Sequence, residues 1–163
     1  MHTKRIRASK SRLPRPPLTR SETMARVRSQ DTAPELIVRR ALHAAGLRYR
    51  LHRRDLPGTP DIVLPSRRAV VLVHGCFWHS HPGCPRARVP GAHRNYWEPK
   101  LARTVERDRI ANIELAALGW KVFVVWECEL KGTDPLAKLV GDLKAIKLYR
   151  REVATKGPCG VSF

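Results

Sequence analysis

The sequence predicts an α/β domain in which a mixed central sheet is flanked by helices. A chain of 163 residues, 42% of them hydrophobic, is long enough for one domain with a substantial core. Two short apolar strands joined by four residues indicate a hairpin. A further apolar strand lies between two helical patterns, so the expected order is helix, hairpin, helix, strand, helix.

The first helix is expected over residues 35–45, with Asp31 or Thr32 as its N-cap, Pro34 in its first turn and Gly46 at its end. Its apolar residues predict the buried face, namely Leu36, Ile37, Val38, Ala41, Leu42 and Ala45. A short strand at 49–51 is expected next. The hairpin then pairs residues 61–64 with residues 69–73.

A long helix is expected over residues 97–118, capped by Gly119, with an apolar face made of Leu101, Val105, Ile110, Ile113 and Ala117. Residues 121–126 are apolar almost throughout, which is typical of a central strand covered on both faces. Thr133 and Pro135 begin the last helix. Its apolar residues follow the helical period, namely Leu136, Leu139, Val140, Leu143 and Ile146.

Charge distinguishes this composition from that of an average domain. The 32 Lys and Arg against 14 Asp and Glu give a net charge of +18, which favours a nucleic-acid partner over a membrane surface or an acidic protein. Residues 1–20 hold seven Lys or Arg, three Pro and no acid, which predicts a disordered basic arm. That arm could contact DNA, be only a solvated tail, or act as a transit peptide.

The sequence has neither an apolar run of the roughly 18 to 20 residues that a membrane helix needs nor the apolar core of a secretion signal. We therefore expect a soluble, cytoplasmic protein without a membrane partner. In a reducing compartment its four Cys favour metal ligands or free thiols over disulfides. The domain is expected over residues 21–152, followed by a flexible tail at 153–163.

Four side chains of metal-ligand type, Cys76, His81, Cys84 and Cys128, could form a closed Cys3His zinc site. Such a structural zinc site would fix the loop at 74–84 to the sheet. In the alternative interpretation, Cys128 is an ordinary buried thiol and His81 a surface side chain. The remaining cysteine, Cys159, lies in a tail that contains Gly and Pro, has no neighbouring residues of ligand type and is not assigned to the site.

Asp61 at a strand start could project toward a hard cation such as Mg2+, although a Pro-Asp pair is common in turns. The presence of Glu35, Asp108, His74 and His79 favours a metal-assisted hydrolysis. The alternative for Asp108 is a solvated helix face with local ion pairs.

Three large aromatic residues, Phe77, Trp78 and Trp97, lie in loop or helix-start positions near Arg and His. They could anchor the core. Beside so much positive charge they could equally stack on bases or wedge between them.

Six ordered blocks carry a family resemblance over about residues 20–131. They are Arg-Ser-x-x-Met at 20–24, Asp-Thr-Ala-x-Glu at 31–35, Leu-Pro-Gly-x-Pro-Asp at 56–61, His-Gly-Cys-Phe-Trp-His at 74–79, Val-Glu-Arg-Asp at 105–108, and Leu-Gly-Trp-Lys-Val with Val-Trp-Glu-Cys at 118–128. With these blocks the sequence resembles the very short patch repair (Vsr) DNA mismatch endonucleases, which are relatives of the restriction-endonuclease fold.

The resemblance implies a restriction-endonuclease-like core and a Mg2+-dependent enzyme acting on double-stranded DNA. Such an enzyme nicks the strand 5′ of the T in a T:G mismatch, the product of 5-methylcytosine deamination. Mismatch-repair proteins are candidate partners, and a monomer is the default state.

The same resemblance assigns roles to individual residues. Asp61 and the main-chain carbonyl of Val73 would hold Mg2+, and His79 would act as general base or orient the water. Asp108 would support His79, with Glu35 and His74 assisting. The implied zinc ligands are Cys76, His81, Cys84 and Cys128. The implied wedge residues are Phe77, Trp78 and Trp97 from the major groove and Met24 from the minor groove.

Two departures from these patterns matter. The second strand ends in Val73-His74-Gly75, without the acid and Lys of the usual restriction fold, so the chemistry would depend on His. The zinc loop is one residue longer than the commonest spacing, which leaves His79 open as an alternative ligand to His81. Two other functions also stay open: a nuclease of the same fold with another target, and a zinc-stabilised DNA-binding module without catalysis.

Overall fold

The computed structural model describes residues 28–91 and 93–149. The predicted basic arm at 1–20, the tail at 153–163 and Met24 lie outside these residues. Within the described ranges, no helix combines the length and the apolar character required to cross a membrane.

A four-stranded mixed sheet in the order β1-β2-β3-β4 forms the centre of the fold. Strands β1 (Arg50–Leu51), β2 (Ile62–Leu64) and β3 (Ala69–His74) pair antiparallel in turn, whereas β4 (Lys121–Trp126) is parallel to β3. The predicted hairpin is therefore confirmed. Its link contains a turn of 3-10 helix at Pro65–Arg67.

Helices cover both faces of this sheet. Helix α1 (Ala33–Ala44) packs with α3 (Asp134–Ala145) on one face, over a core that includes Val71 and Val125. Helix α2 (Arg94–Ala117) connects the parallel strands β3 and β4, and its Leu115 packs with Val70 in a second cluster. Alternate residues of β3 thus face opposite layers, as the pleat requires. The predicted mixed α/β architecture is confirmed.

Helix α1 begins two residues earlier than predicted and has Thr32 as its N-cap. The Thr32 hydroxyl accepts a hydrogen bond from the Glu35 amide, and the Glu35 carboxylate accepts one from the Thr32 amide, which completes a capping box. The predicted buried face was wrong in part, since Leu36 and Ile37 are 37% and 39% exposed. Glu35 and Arg39 are buried on that helix instead, because they neutralise each other through a 2.7 Å ion pair.

Helix α2 begins at Arg94, three residues before the predicted start, and its predicted apolar face was largely wrong. Val105, Ile110 and Ile113 are exposed, and the buried residues of the helix are Trp97, Leu101, Ala111 and Leu115. The buried stripe passes through the partly buried polar residues Thr104 and Asp108. These polar positions interrupt the apolar pattern on the face that packs inward.

The predicted central position of residues 121–126 was also wrong, because β4 is an edge strand. Phe123 and Val125 pack against one core cluster and Val122 against the other, so the strand needs apolar residues on both faces. Among residues 28–91 and 93–149, only one edge of β4 is paired, to β3. A strand with apolar residues on both faces is therefore one that is covered by helices on both faces, and the pattern does not reveal how many neighbouring strands it has.

The turn before Asp61 is fitted closely to helix α2 at Gly58. Gly58 has a φ of +69°, and a Cβ atom built there would lie 2.7 Å from the Cβ of Ala111. Gly46 has a similar φ of +75° but open space around it. Substitution of Gly46 therefore measures the effect of backbone strain alone, whereas substitution of Gly58 adds steric overlap with Ala111.

We expect Gly58→Ala to lower the free energy of unfolding by about 2–4 kcal/mol, through left-handed strain together with overpacking. Gly46→Ala, the matched control, should lose only the strain contribution of about 1–2 kcal/mol. Denaturant unfolding of both variants measures the difference. Equal losses would contradict the close packing of Gly58 against Ala111.

Candidate active site

Asp61 lies immediately before β2, beside the end of β3. Its Oδ2 atom accepts a 2.7 Å hydrogen bond from the main-chain N–H of Val73. Burial raises the pKa of the Asp61 carboxyl, the hydrogen bond from Val73 opposes that rise, and the nearby negative charge of Glu35 adds to it. The site therefore holds a carboxylate whose ionised form is disfavoured by its surroundings, a state that a cation would relieve.

A pair of stacked histidines follows β3. The rings of His74 and His79 lie parallel, with centroids 3.9 Å apart, and His79 Nδ1 is 2.6 Å from Asp108 Oδ2. Burial, then the adjacent His79, lowers the pKa of His74 to about 4, so this ring is neutral at pH 7. Because Asp108 holds one ring nitrogen of His79, the other nitrogen is free to meet a water or a phosphate.

Glu35 lies in a separate network rather than with the two histidines. Its carboxylate accepts hydrogen bonds from Thr32 and Arg39, and Arg39 Nη2 is also 2.9 Å from His52 Nε2. Glu35 reaches the catalytic candidates through its charge, which raises the pKa of Asp61. Sequence reasoning missed Arg39, although its spacing of four residues from Glu35 is that of an ion pair on a helix.

The four predicted metal ligands lie together. The ligand atoms of Cys76, His81, Cys84 and Cys128 are all within 4.8 Å of one another. His81 Nδ1 is 3.6 Å from the sulfur of Cys76 and 3.3 Å from that of Cys128. His81 rather than His79 therefore faces the thiols, since His79 pairs with Asp108.

The chemistry of this donor set fits a soft divalent cation. Hydrogen bonding from the main chain of Arg86 lowers the pKa of Cys84, whereas burial, followed by the neighbouring thiols, raises the pKa of Cys128 to about 11. Three sulfurs at such short range cannot all ionise without a compensating positive charge. The Cys3His cluster could thus hold a tetrahedral metal ion.

The predicted wedge aromatics form one cluster beside the histidines. Phe77, Trp78 and Trp97 are in mutual edge-to-face contact, with ring centroids 5.1–5.9 Å apart. Trp97 is buried, whereas Phe77 and Trp78 are only partly buried. Lys100 Nζ lies 5.5–5.7 Å from the centroids of the neighbouring rings, and the adjacent Tyr96 is 56% exposed. This combination of flat rings and positive charge is suited to bases and phosphates.

The comparisons with known proteins agree with this geometry. The profile of the family described as DNA mismatch endonuclease Vsr matches residues 16–85. The chain is 54% identical over 120 residues to the type II nicking enzyme V.XorIIP of Xanthomonas oryzae pv. oryzae, a match that spans 74% of this chain and 88% of that protein. It is 42% identical over 118 residues to the DNA mismatch endonuclease Vsr of Escherichia coli K12, across 72% and 75% of the two chains.

A third relative is the type II nicking enzyme V.NmeAIP of Neisseria meningitidis, which is 40% identical over 129 residues, or 77% of this chain and 91% of that protein. Fold, site and relatives together define a DNA endonuclease. The chain belongs to the Vsr family of DNA mismatch endonucleases.

The raised pKa of Asp61 predicts how this residue affects stability. Because the folded-state pKa lies above the unfolded value, the ionised carboxylate destabilises the fold as the pH rises through the folded pKa. Asn removes the charge yet can still accept the hydrogen bond from Val73. We therefore expect Asp61→Asn to raise the thermal unfolding midpoint at pH 7 without added Mg2+, with the difference vanishing in acid.

Asp55 provides the matched control. This exposed carboxylate pairs with Arg53, whose hydrogen bond lowers the pKa of Asp55. Ionisation of Asp55 therefore favours the folded state, whereas ionisation of Asp61 disfavours it. Asp55→Asn should leave the midpoint at pH 7 unchanged or slightly lower. A midpoint for Asp61→Asn below wild type throughout the pH range would contradict the prediction.

Proposed function

We propose that this endonuclease nicks double-stranded DNA 5′ of the T in a T:G mismatch, by Mg2+-assisted hydrolysis of a phosphodiester bond. The observation that carries the proposal is the meeting of Asp61, the His74–His79 stack, Asp108 and the aromatic cluster at one end of the sheet, in a chain of net charge +18. The reaction would serve repair of deaminated 5-methylcytosine, in the cytoplasm on the nucleoid.

The oxygen donors at Asp61 fit a hard cation. Oδ2 is engaged by the Val73 amide, whereas Oδ1 makes no hydrogen bond within residues 28–91 and 93–149 and is available to a metal ion. Asp61 and the main-chain carbonyl of Val73 would hold Mg2+. When bound, Mg2+ would supply positive charge against the negative charge that develops on the phosphate.

The two histidines would orient the attacking water and accept its proton. Asp108 would accept a hydrogen bond from the Nδ1–H of His79, which leaves Nε2 as the nitrogen that would orient the water and take its proton. His74, neutral at pH 7, holds the plane of His79 by stacking on it. Glu35 would assist through the electrostatic field at Asp61.

The mismatch itself would be selected by the aromatic cluster. Phe77, Trp78 and Trp97 would wedge beside the mispaired step from the major groove, with Met24 entering from the minor groove. Unstacking costs a few kcal/mol per step and is less costly at a mismatch, so the wedge would favour T:G over matched pairs. Lys100 carries positive charge to the same surface.

The remaining assignments complete the proposal. The sheet and helices would form a restriction-endonuclease-like core within a domain at 21–152, preceded by a basic arm at 1–20 and followed by a flexible tail at 153–163. Zn2+ would be the structural ion of the Cys3His cluster, and the protein would act as a monomer. Mismatch-repair proteins are candidate partners.

The zinc assignment predicts that Cys128→Ser loses the metal and about 4 kcal/mol or more of folding stability, since binding of a structural metal contributes directly to folding. Zinc content by atomic absorption and the unfolding midpoint test this expectation. Cys159→Ser, at a cysteine outside the proposed cluster, is the control and should retain both. Full zinc content and an unchanged midpoint in Cys128→Ser would exclude the role.

The nicking assay uses labelled duplexes with one T:G mismatch, beside matched T:A and C:G duplexes, with and without Mg2+. We expect a Mg2+-dependent single-strand nick 5′ of the mispaired T. Asp61→Asn should reduce the rate by about a thousandfold or more, because several kcal/mol of charge stabilisation are lost. Asp55→Asn should cut normally.

Two outcomes would contradict the proposal. Equal cutting of matched and mismatched duplexes would indicate a nuclease of this fold with another target. Binding without cutting, across several flanking sequences, would support the alternative of a DNA-binding module over the proposed reaction.

A further inference from the structure

A continuous row of rings connects the thiol cluster with the catalytic candidates. The indole of Trp126 stacks on His81, with centroids 4.0 Å apart and planes inclined by 7°. The same indole meets His74 edge-on at 5.2 Å, and His74 stacks on His79. His81 faces the thiols at one end of the row, and His79 pairs with Asp108 at the other.

The main chain around Trp126 is held by hydrogen bonds on both sides. Its own N–H donates to Glu129 Oε2 at 3.0 Å, and the N–H of Glu127 donates to the carbonyl of His74 at 2.9 Å. Trp126 is also the register partner of His74 in the parallel pair β3-β4. The indole is therefore fixed between two groups that have different chemical roles.

We infer that Trp126 is a positioning residue, which holds His81 in the metal cluster and His74 in the catalytic stack and so couples the two sites. The inference rests on the proposed function for its effect on nicking. The effect expected is on the rate of the chemical step rather than on the affinity for DNA. The row of rings ends at His79 and Asp108, the pair proposed to transfer the proton, and does not include the aromatic cluster proposed to contact the bases.

The physical argument is one of orientation. The rings of the row meet in stacked and edge-to-face pairs, and such contacts between aromatic rings favour particular orientations. An aliphatic side chain at position 126 would fill volume but would not orient either imidazole. A displacement of about 1 Å at a catalytic group lowers a rate by about 100-fold, and lost support for a metal ligand lowers metal affinity by about 10- to 100-fold.

The experiment compares wild type with Trp126→Leu, Trp126→Phe and Trp120→Leu. Trp120 is a partly buried tryptophan of the second core cluster, remote from the row, and controls for loss of an indole. Four quantities are measured: the single-turnover nicking rate at saturating enzyme, the Kd for uncut T:G duplex without Mg2+, the rate of zinc release to a chromogenic chelator, and the unfolding midpoint.

We expect Trp126→Leu to nick about 10- to 100-fold more slowly, with an unchanged Kd, and to release zinc about 10-fold faster. Trp126→Phe keeps a ring and should restore most of the rate. Trp120→Leu should lose stability while retaining its nicking rate and zinc release. This pattern separates positioning from a general loss of stability.

Three results would overturn the inference. They are a wild-type rate of either nicking or zinc release in Trp126→Leu, equal slowing in Trp120→Leu, and a Phe variant as slow as the Leu variant. If Trp126→Leu does not fold, Trp126→Met provides a flexible ring-free replacement. Failure of both to fold would also overturn it, since Trp126 would then be a core residue.

The two proposals fail in distinguishable ways. A wild-type protein that leaves the T:G duplex intact contradicts the proposed function. The zinc-release comparison needs no DNA, so equal release from wild type and Trp126→Leu overturns the coupling by itself.

Discussion

The hydrogen bond from the Val73 amide to the Asp61 carboxylate determines the geometry of the site. It joins the start of β2 to the end of β3, and each of these two strands is paired on both edges and buried along nearly all of its length. Asp61 is thereby bonded to the residue that precedes His74, and the His74 ring stacks on that of His79. The Asp61 carboxylate and the His74 imidazole are thus positioned by the pairing of β2 with β3, and His79 is held by its stack on His74 and its contact with Asp108.

The charges around this bond lower the stability of the fold when Asp61 is ionised. Asp61 is partly buried near Glu35, and both its burial and the charge of Glu35 raise its pKa, so the ionised form weakens the fold. The Glu35–Arg39 pair balances one charge internally, whereas nothing in the described residues forms an ion pair with Asp61. A partly buried carboxylate without an ion-pair partner is typical of a cation-binding position, and natural sites commonly retain such destabilising groups.

The sequence was sufficient to predict the order of the elements and the hairpin, because turn residues are local signals. The close spacing of Cys76, His81 and Cys84 predicted their cluster, and Cys128 was placed with them because it follows a strand expected to lie nearby. It failed at the inward faces of α1 and α2. There the inward faces contain the buried Glu35 and Arg39 and the partly buried Thr104 and Asp108, which a hydrophobicity pattern assigns to solvent. Three of these side chains have polar partners inside the fold, since Glu35 pairs with Arg39 and Asp108 contacts His79.

The parallel pairing of β3 with β4 explains why the Cys3His cluster and the stacked histidines share one end of the sheet. Parallel strands end on the same side, so the register of His74 with Trp126 brings the residues after β4 beside those after β3. Cys128 thereby reaches the loop that holds Cys76 and His81, and Trp126 reaches His74. The spacing of residues along the chain does not reveal the contact between Trp126 and His74, because that contact depends on the crossover from β3 to β4 through α2. The parallel pairing of β3 with β4 is therefore what places the Cys3His cluster beside the stacked histidines.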